Sequence, residues 1–291
     1  MPVPNSSAAG ATLSVGACAT LACLLEATAP KPGNVHRGAD FADMTFTDFV
    51  VSAAAIGPAM ERAAERGVGA TVLEAIRATR RLVSVNTNLG TVLLLAPLAA
   101  VPGSQRLDDG LPQVLARLTA RDAEDVYAAI RLAQPGGLGT AAEMDVAGTA
   151  PQSLLEAMGA AADRDMVARQ YAEGFRHVLQ TVAPWIVEGC AAGWPLTHAV
   201  IHTQLRMLAA YPDSLIARKC GSQTAERAAS IAHRVLQAGS PGDDAYVHEL
   251  GELDFWLRSD GNRRNPGTTA DLIAAGLFVV LREGRIQPPY R

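Results

Sequence analysis

Cysteine patterns that form disulfides or bind metals are missing from this chain of 291 residues. It has only four cysteines, and no two of them are spaced as CxxC. Because the chain is too long to depend on disulfides for its stability, neither a disulfide framework nor a zinc site is expected. We therefore expect a reduced, cytoplasmic protein. The cysteines are Cys18, Cys23, Cys190 and Cys220.

Aromatic residues, a basic excess and long apolar runs are also missing. Aromatic side chains make up 5% of the residues and apolar ones 49%, so Ala, Leu, Val and Ile must build the core. The net charge of −4 argues against a general nucleic-acid-binding protein. The longest apolar run, residues 92–101, contains Pro97 and is far shorter than the ~20 residues of a membrane span. Residues 1–11 lack the positive charge of a secretory signal, so we expect no membrane partner.

Helical periodicity dominates the rest of the chain. No segment shows strand alternation with hairpin turns, and the Gly- and Pro-rich stretch 135–151 is the one candidate boundary. We predict an all-α fold in which residues 1–291 form a single multi-helix domain, with a flexible N-terminus at 1–10. Thr45 followed by Asp48 predicts a capping box. The predicted helices cover residues 12–27, 46–66, 71–83, 91–101, 111–118, 122–134, 151–160, 163–192 (kinked at Pro184), 195–210, 225–238, 243–258 and 269–282.

The loop at residues 30–44 is the most unusual part of the chain. Its two prolines and two glycines prevent regular helix. Polar groups of many kinds follow one another there, between rigid helices, where binding and chemistry concentrate. Nothing about helix ends requires this mixture of cations, amide and carboxylates, so the loop predicts a functional site. Its candidate residues are Lys31, Asn34, Arg37, Asp40 and Asp43.

Other helix junctions place polar groups where an all-α fold can bind phosphate. Such sites use helix N-termini together with Lys or Arg side chains. Taken singly, Asn86 or Asn88 can equally be a helix cap, and Thr269 with Asp271 can be ordinary chemistry of a helix start. The candidates at these junctions are Asn86, Thr87, Asn88, Arg218, Asn265 and Asp271.

Two further carboxylates are candidate ligands for Mg²⁺, which binds one or two carboxylates together with phosphate oxygens. Asp125 lies in a predicted helix, and Asp213 precedes the segment that contains Arg218. An N-cap or a surface charge is the commoner role of any single Asp, so both alternatives stay open. His198 and His202 share one helical face, but no third ligand is evident, and packing is the expected role.

Several motifs follow one another in a fixed order. They are PKPGNV at 30–35, GAD at 38–40, DM at 43–44, VNTNLG at 85–90, GF at 174–175, DSLIAR at 213–218, NPG at 265–267 and ADL at 270–272. In this order they resemble the triphosphoribosyl-dephospho-CoA synthase family over residues 13–281. The first and last motifs are the most specific.

This resemblance implies an all-α enzyme that uses ATP as a substrate. A ribose 2′-hydroxyl of dephospho-CoA attacks C1′ of the ATP ribose, and adenine leaves. Lys31 and Arg218 would hold the triphosphate with Mg²⁺. Asp40 or Asp43 would stabilise oxocarbenium-like charge or take the hydroxyl proton. Asparagines 86 and 88 would orient the substrate.

Two motifs depart from the usual pattern of that family. Residues 86–90 read NTNLG where the family usually has NTHKG, and residues 265–269 read NPGTT where it has SPGGS. The expected function is ATP-dependent triphosphoribosyl transfer to dephospho-CoA or a related acceptor. The sequence is compatible with a monomer or an oligomer. The missing cation leaves alternatives open. These are another acceptor in a one-carbon, tetrahydromethanopterin-type pathway, a non-catalytic nucleotide-binding helical protein, and a hydrolase in which water replaces the acceptor.

Overall fold

Helices form nearly all of the regular structure. The computed structural model describes residues 13–136 and 146–290, and the predicted all-α fold is confirmed there. The expected flexible segment 1–10 lies outside the described residues. The helices within them are α1 (Val15–Thr28), α2 (Phe46–Glu61), α3 (Ala63–Arg66), α4 (Val68–Arg80), α5 (Leu89–Ala100), α6 (Leu107–Ala116), α7 (Ala120–Ala133), α8 (Leu154–Ala161), α9 (Met166–Ala172), α10 (Ala183–Ala191), α11 (Leu196–Ala210), α12 (Ser214–Cys220), α13 (Ser222–Gln237), α14 (Asp244–Arg258) and α15 (Gly267–Arg282), with one short strand, β1 (Ser259–Asn262).

Helix starts follow local capping chemistry. At α2 the Thr45 hydroxyl accepts a hydrogen bond from the Asp48 N–H, and the Asp48 carboxylate accepts one from the Thr45 N–H, which confirms the predicted capping box. The predicted start at residue 71 is wrong, because α4 begins at Val68, directly after Gly67. The Thr71 hydroxyl donates to the Gly67 carbonyl at 2.7 Å, so this side chain lies inside the first turn.

The predicted helix 163–192 is divided in two. Gly174 and Phe175 both have φ of 62°, in the left-handed region that ends an α-helix. A π-helical turn, Val178–Val182, then joins directly to α10. Pro184 lies in the first turn of α10, where a missing N–H costs no helical hydrogen bond. The chain therefore breaks before the proline, and the kink predicted at Pro184 is wrong.

Two apolar clusters form the core. The larger one surrounds α15, which packs against α1, α5, α10 and the π-helical turn. The smaller one joins α11, α12, α13 and α14. Helices α1 and α2 cross closely, since a Cβ on Gly16 would lie 2.5 Å from the carbonyl oxygen of Gly57. This crossing fixes α1, from whose C-terminal end the loop at 30–44 departs.

Helix α5 is the most apolar element. All of its residues except Gly90 are buried, and Pro97 lies within it. No helix in the described ranges is both long and apolar enough to cross a membrane. The N-terminal end of α5 opens into a large cavity.

Candidate active site

A cavity of about 590 Å³ lies where several helix junctions meet. This volume is within the range of small-molecule sites. Its polar wall comes from the C-terminal end of α1, the loop at 30–44, the segment 84–91, α12 and the start of α15. Its apolar wall comes from α7, α8 and α9, through side chains that include Ile130, Leu154, Met158 and Val167.

Most of the predicted site residues line this cavity, although their spacing along the chain is wide. The predicted residues in its lining are Asn34, Asp43, Asn86, Thr87, Asn88, Arg218, Asn265 and Asp271. The predicted residues outside its lining are Lys31, Arg37, Asp40, Asp125 and Asp213.

Within the loop at 30–44, two polar side chains line the cavity and are bonded to distant segments. The Asn34 Oδ1 accepts a hydrogen bond from Gln204 Nε2 at 2.7 Å. Asp43 accepts one from Asn262 Nδ2 at 2.7 Å. Asp40 instead accepts from the N–H of residue 46 at 2.6 Å, at the start of α2, and residue 37 is exposed outside the cavity. Asp43 is therefore better placed for chemistry than Asp40.

Lys31 does not reach the cavity. Its side chain is fully buried, and its Nζ lies 2.8 Å from Glu26 Oε1. The ammonium also donates to the backbone carbonyls of Glu26 and Ala29. The ammonium is thus occupied by protein oxygens and Lys31 is outside the cavity lining, so this geometry does not support the predicted contact with phosphate. The positive charge of Lys31 is paired with the carboxylate of Glu26, which lines the cavity.

The segment before α5 supplies three polar residues that already have protein partners. Asn86 Oδ1 accepts a hydrogen bond from the Leu89 N–H at 3.1 Å, so Asn86 acts as a cap for α5. The Thr87 hydroxyl lies 2.6 Å from that of Ser52. Asn88 Nδ2 donates to a buried threonine hydroxyl, at position 79, at 3.1 Å. Each side chain is fixed in place while it still lines the cavity.

Asp271 enters the cavity from the fifth residue of α15. Its Oδ1 accepts a hydrogen bond from the Thr91 hydroxyl at 2.6 Å. A Cβ on Gly90 would lie only 2.0 Å from Asp271 Oδ2, so this helix start must carry glycine for the carboxyl to fit. Burial raises the pKa of Asp271 to about 8, and the neighbouring Glu26 adds to this shift, while the Thr91 hydrogen bond opposes it. The carboxyl is therefore mostly protonated at neutral pH.

Cations line the side of the cavity formed by α12. Arg218 Nη1 lies 2.7 Å from Asp165 Oδ2, and its buried Nε has no partner among the described residues. Lys219 Nζ donates to Asn265 Oδ1 at 3.1 Å. Burial lowers the pKa of Lys219, although nearby acidic groups favour its charged form. Arg164, also in the lining, is exposed and has no side-chain hydrogen bond within the described residues.

The two predicted metal ligands lie apart and are already bonded. Asp213 accepts hydrogen bonds from the N–H groups of residues 215 and 216 and from the N–H and hydroxyl of Thr269, all at 2.7–3.0 Å. It thus caps α12 and binds the start of α15. Asp125 is buried on α7 and pairs with Arg121 of the same helix. This placement does not support a shared Mg²⁺ site.

Sequence reasoning missed several residues of the lining. Glu26 is the only charged residue of α1, which is the signal that could have identified it. Asp165 resembles an ordinary N-cap, and it does accept hydrogen bonds from the N–H groups at the start of α9. Other polar lining residues that were missed include Arg80, Gln134, Arg164 and Thr91.

An all-α fold whose cavity brings Arg and Lys side chains together with buried carboxyls is typical of a helical enzyme for a small anionic substrate. The model of the family described as ATP:dephospho-CoA triphosphoribosyl transferase matches residues 12–288. The chain belongs to this family.

A solved structure agrees with this assignment. The chain is similar to a candidate triphosphoribosyl-dephospho-CoA synthase from Archaeoglobus fulgidus, with 29% sequence identity and a TM-score of 0.63. The similarity covers 82% of this chain and 99% of that one. Among curated proteins, no sequence matches this chain. Taken together, these findings confirm the expected family and activity, and they do not favour a non-catalytic protein or a different acceptor.

Proposed function

We propose that the cavity binds ATP and dephospho-CoA together, transfers the triphosphoribosyl group from one to the other, and releases adenine. The observation that carries this proposal is that cations and buried carboxyls meet in one cavity of nucleotide size. Membership in the family supplies the reaction. The geometry supports separate roles for the cations, which bind phosphate, and for the carboxyls, which transfer protons.

The triphosphate binds to the α12 side of the cavity. Arg218 retains donors, including its buried Nε, that no described residue accepts from. Lys219 and Arg164 add two positive charges to the same lining. Guanidinium groups bind phosphate oxygens in a planar, two-pronged geometry, so Arg218 is the main phosphate ligand.

The acceptor hydroxyl is activated at the mouth of the cavity. Asp43 is exposed there, and Asn262 fixes one of its oxygens. Its carboxylate accepts the proton of the attacking 2′-hydroxyl, while the developing charge at C1′ is stabilised as in glycoside chemistry. Asn34 and Asn86 orient the ribose groups between the two ends of the cavity.

Magnesium belongs to the substrate in this proposal. Mg²⁺ keeps several waters and binds mainly through phosphate oxygens with one or two carboxylates. The described residues contain no group of three or more His, Cys, Asp or Glu side chains that could hold a metal ion. In this proposal Mg²⁺ enters bound to the phosphates of ATP.

The cytoplasm is the proposed location of the enzyme. All four cysteines carry free thiols. Burial raises the pKa of Cys18, Cys23 and Cys190, which keeps these thiols uncharged and slow to react. Free thiols of this kind suit a reducing compartment.

Adenine release that depends on the acceptor is the expected result of the direct test. The protein is incubated with ATP and Mg²⁺, with or without dephospho-CoA, and adenine is quantified by chromatography while the joined product is identified by mass. Adenine should form only when the acceptor is present. Equal release without acceptor would indicate a hydrolase, and ATP binding without any adenine would indicate a non-catalytic protein. Formation of ADP or AMP in place of adenine would contradict the proposal.

Arg218→Met is expected to weaken ATP binding about 10- to 100-fold, since a charge-assisted hydrogen bond contributes about 1.5–3 kcal/mol. Isothermal titration of ATP and Mg²⁺ without acceptor measures this change. The matched control is Arg234→Met, because Arg234 forms a surface ion pair with Glu249 away from the cavity. Unchanged ATP affinity in a folded Arg218→Met protein would remove Arg218 from the phosphate site.

A further inference from the structure

We infer that Asp271 is the general acid that protonates N7 of the departing adenine, and that Lys31 and Glu26 are positioning residues that keep it in its acid form. This inference rests on the proposed function. It gives the buried ion pair behind the cavity wall a role in the same reaction. It also gives the two carboxyl groups different roles, with Asp43 as the base and Asp271 as the acid.

The ion pair borders the cavity, since Glu26 belongs to the lining and Lys31 is buried behind it. Lys31 is fully buried, and the Glu26 side chain is 10% exposed, with 2.8 Å between Nζ and Oε1. A charge this deeply buried persists only when it is paired and hydrogen-bonded. The Glu26 carboxylate, held by Lys31, lies in the cavity lining and repels a negative charge on Asp271.

Asp271 faces groups that all disfavour its ionised form, apart from one hydroxyl. Glu26 from α1, Asp165 before α9 and Asp213 before α12 each repel a second negative charge there. The Thr91 hydroxyl from α5 is the group that favours ionisation. No Lys or Arg of the described residues hydrogen-bonds to Asp271. A carboxyl in such surroundings holds its proton near neutral pH and can donate it, as the acid of a glycosidase pair does.

Asp271 and Arg218 line the same cavity, Asp271 from the start of α15 and Arg218 from α12. Uncharged side chains such as Cys23 and Ala274 accompany Asp271 in the lining. Asp165, which pairs with Arg218, is still close enough to influence Asp271. One nucleotide can therefore place its triphosphate at Arg218 and its adenine at Asp271.

The proton balance of the step follows from these positions. The acceptor oxygen forms a bond to C1′, and the C1′–N9 bond breaks, with its electron pair moving into the purine. Asp271 gives its proton to N7, so that neutral adenine leaves after the proton is redistributed within the base. Asp43 receives the proton of the acceptor hydroxyl. Exchange with water then restores both carboxyls.

Asp271→Asn tests the acid directly. The change keeps the shape and the acceptor oxygen for Thr91 but removes the acidic proton. Adenine release from ATP is expected to fall about 10²- to 10⁴-fold, the usual contribution of a general acid. The wild-type enzyme should lose a comparable factor with 7-deaza-ATP, which has no N7 to protonate, and Asp271→Asn should lose little more with that analogue. Losses that multiply, or undiminished wild-type turnover of 7-deaza-ATP, would overturn the inference.

The positioning pair is tested by the pH dependence of kcat/KM. Wild-type kcat/KM should fall above about pH 8, where Asp271 ionises, and Asp271→Asn should lack this alkaline limb. The double variant Lys31→Met with Glu26→Gln removes both charges and leaves no lone buried ion. Because it removes the negative charge next to Asp271, its alkaline limb should move to lower pH. A limb that stays in place would show that the pair only supports the fold. Absence of wild-type adenine release would instead overturn the proposed function itself.

Discussion

Gly90→Ala is expected to lower the rate of adenine release by about 100-fold or more, since a displacement of about 1 Å at a reacting group has effects of that size. The added methyl would lie 2.0 Å from Asp271 Oδ2, well inside van der Waals contact. Either the Asp271 carboxyl or the α5 backbone must move to relieve this contact. The carboxyl is the more flexible of the two, because α5 is packed into the core on its other sides. Asp271 must therefore turn away from the cavity.

Overpacking at this site also costs about 1–3 kcal/mol of unfolding free energy. Chemical denaturation measures that cost, and turnover of the folded fraction measures the effect on the reaction. Gly251→Ala is the matched control, because Gly251 is an exposed glycine within α14 and a Cβ there meets no atom within 4 Å. The control should gain about 0.5–1 kcal/mol and keep full activity. Full activity in Gly90→Ala would mean that the position of Asp271 is not critical.

Asp213→Ala is expected to give the largest loss of stability, about 2–4 kcal/mol, because it removes a helix cap and leaves buried N–H groups without acceptors. The carboxylate is 2% exposed, and its two oxygens accept four hydrogen bonds from two helix starts. No other side chain among the described residues accepts hydrogen bonds from these same groups. Equilibrium unfolding in urea, followed by circular dichroism, measures the change.

Asp163→Ala is the control for the loss of an acidic side chain. Asp163 is exposed, and substitutions at such positions usually change stability by less than about 0.5 kcal/mol. If Asp213→Ala were as stable as the wild type but bound Mg²⁺–ATP poorly, Asp213 would act as a ligand after all. That outcome would restore the role that the sequence suggested for it.

The sequence predicts the position of the cavity well, because breaks between helices leave strong local signals. Proline and glycine at 30–38 and the Thr45 capping box fix where α1 ends and α2 begins. The polar segment at 86–88 likewise marks the start of α5. These are short-range effects of backbone geometry and capping, which depend on neighbouring residues alone.

The direction of each side chain depends on tertiary packing, which the local sequence does not contain. Lys31 has the residue type of a phosphate ligand, yet the turn after α1 directs it inward to Glu26. Asp213 has the residue type of a metal ligand, yet two helix starts converge on it. The apolar wall from α7, α8 and α9 has no motif, since its residues are those of any buried helix face. Such features become apparent only when distant segments are brought together.

The two helix starts that share Asp213 also fix the relative positions of two residues that line the cavity. Arg218 is the fifth residue of α12 and Asp271 is the fifth residue of α15, so each lies about one turn from the same carboxylate. Both helix starts are bonded to the same buried carboxylate, so the fold sets the separation between the backbones of Arg218 and Asp271. Within the function proposed above, we therefore expect the phosphate site and the adenine site to keep a constant separation while substrates bind and leave.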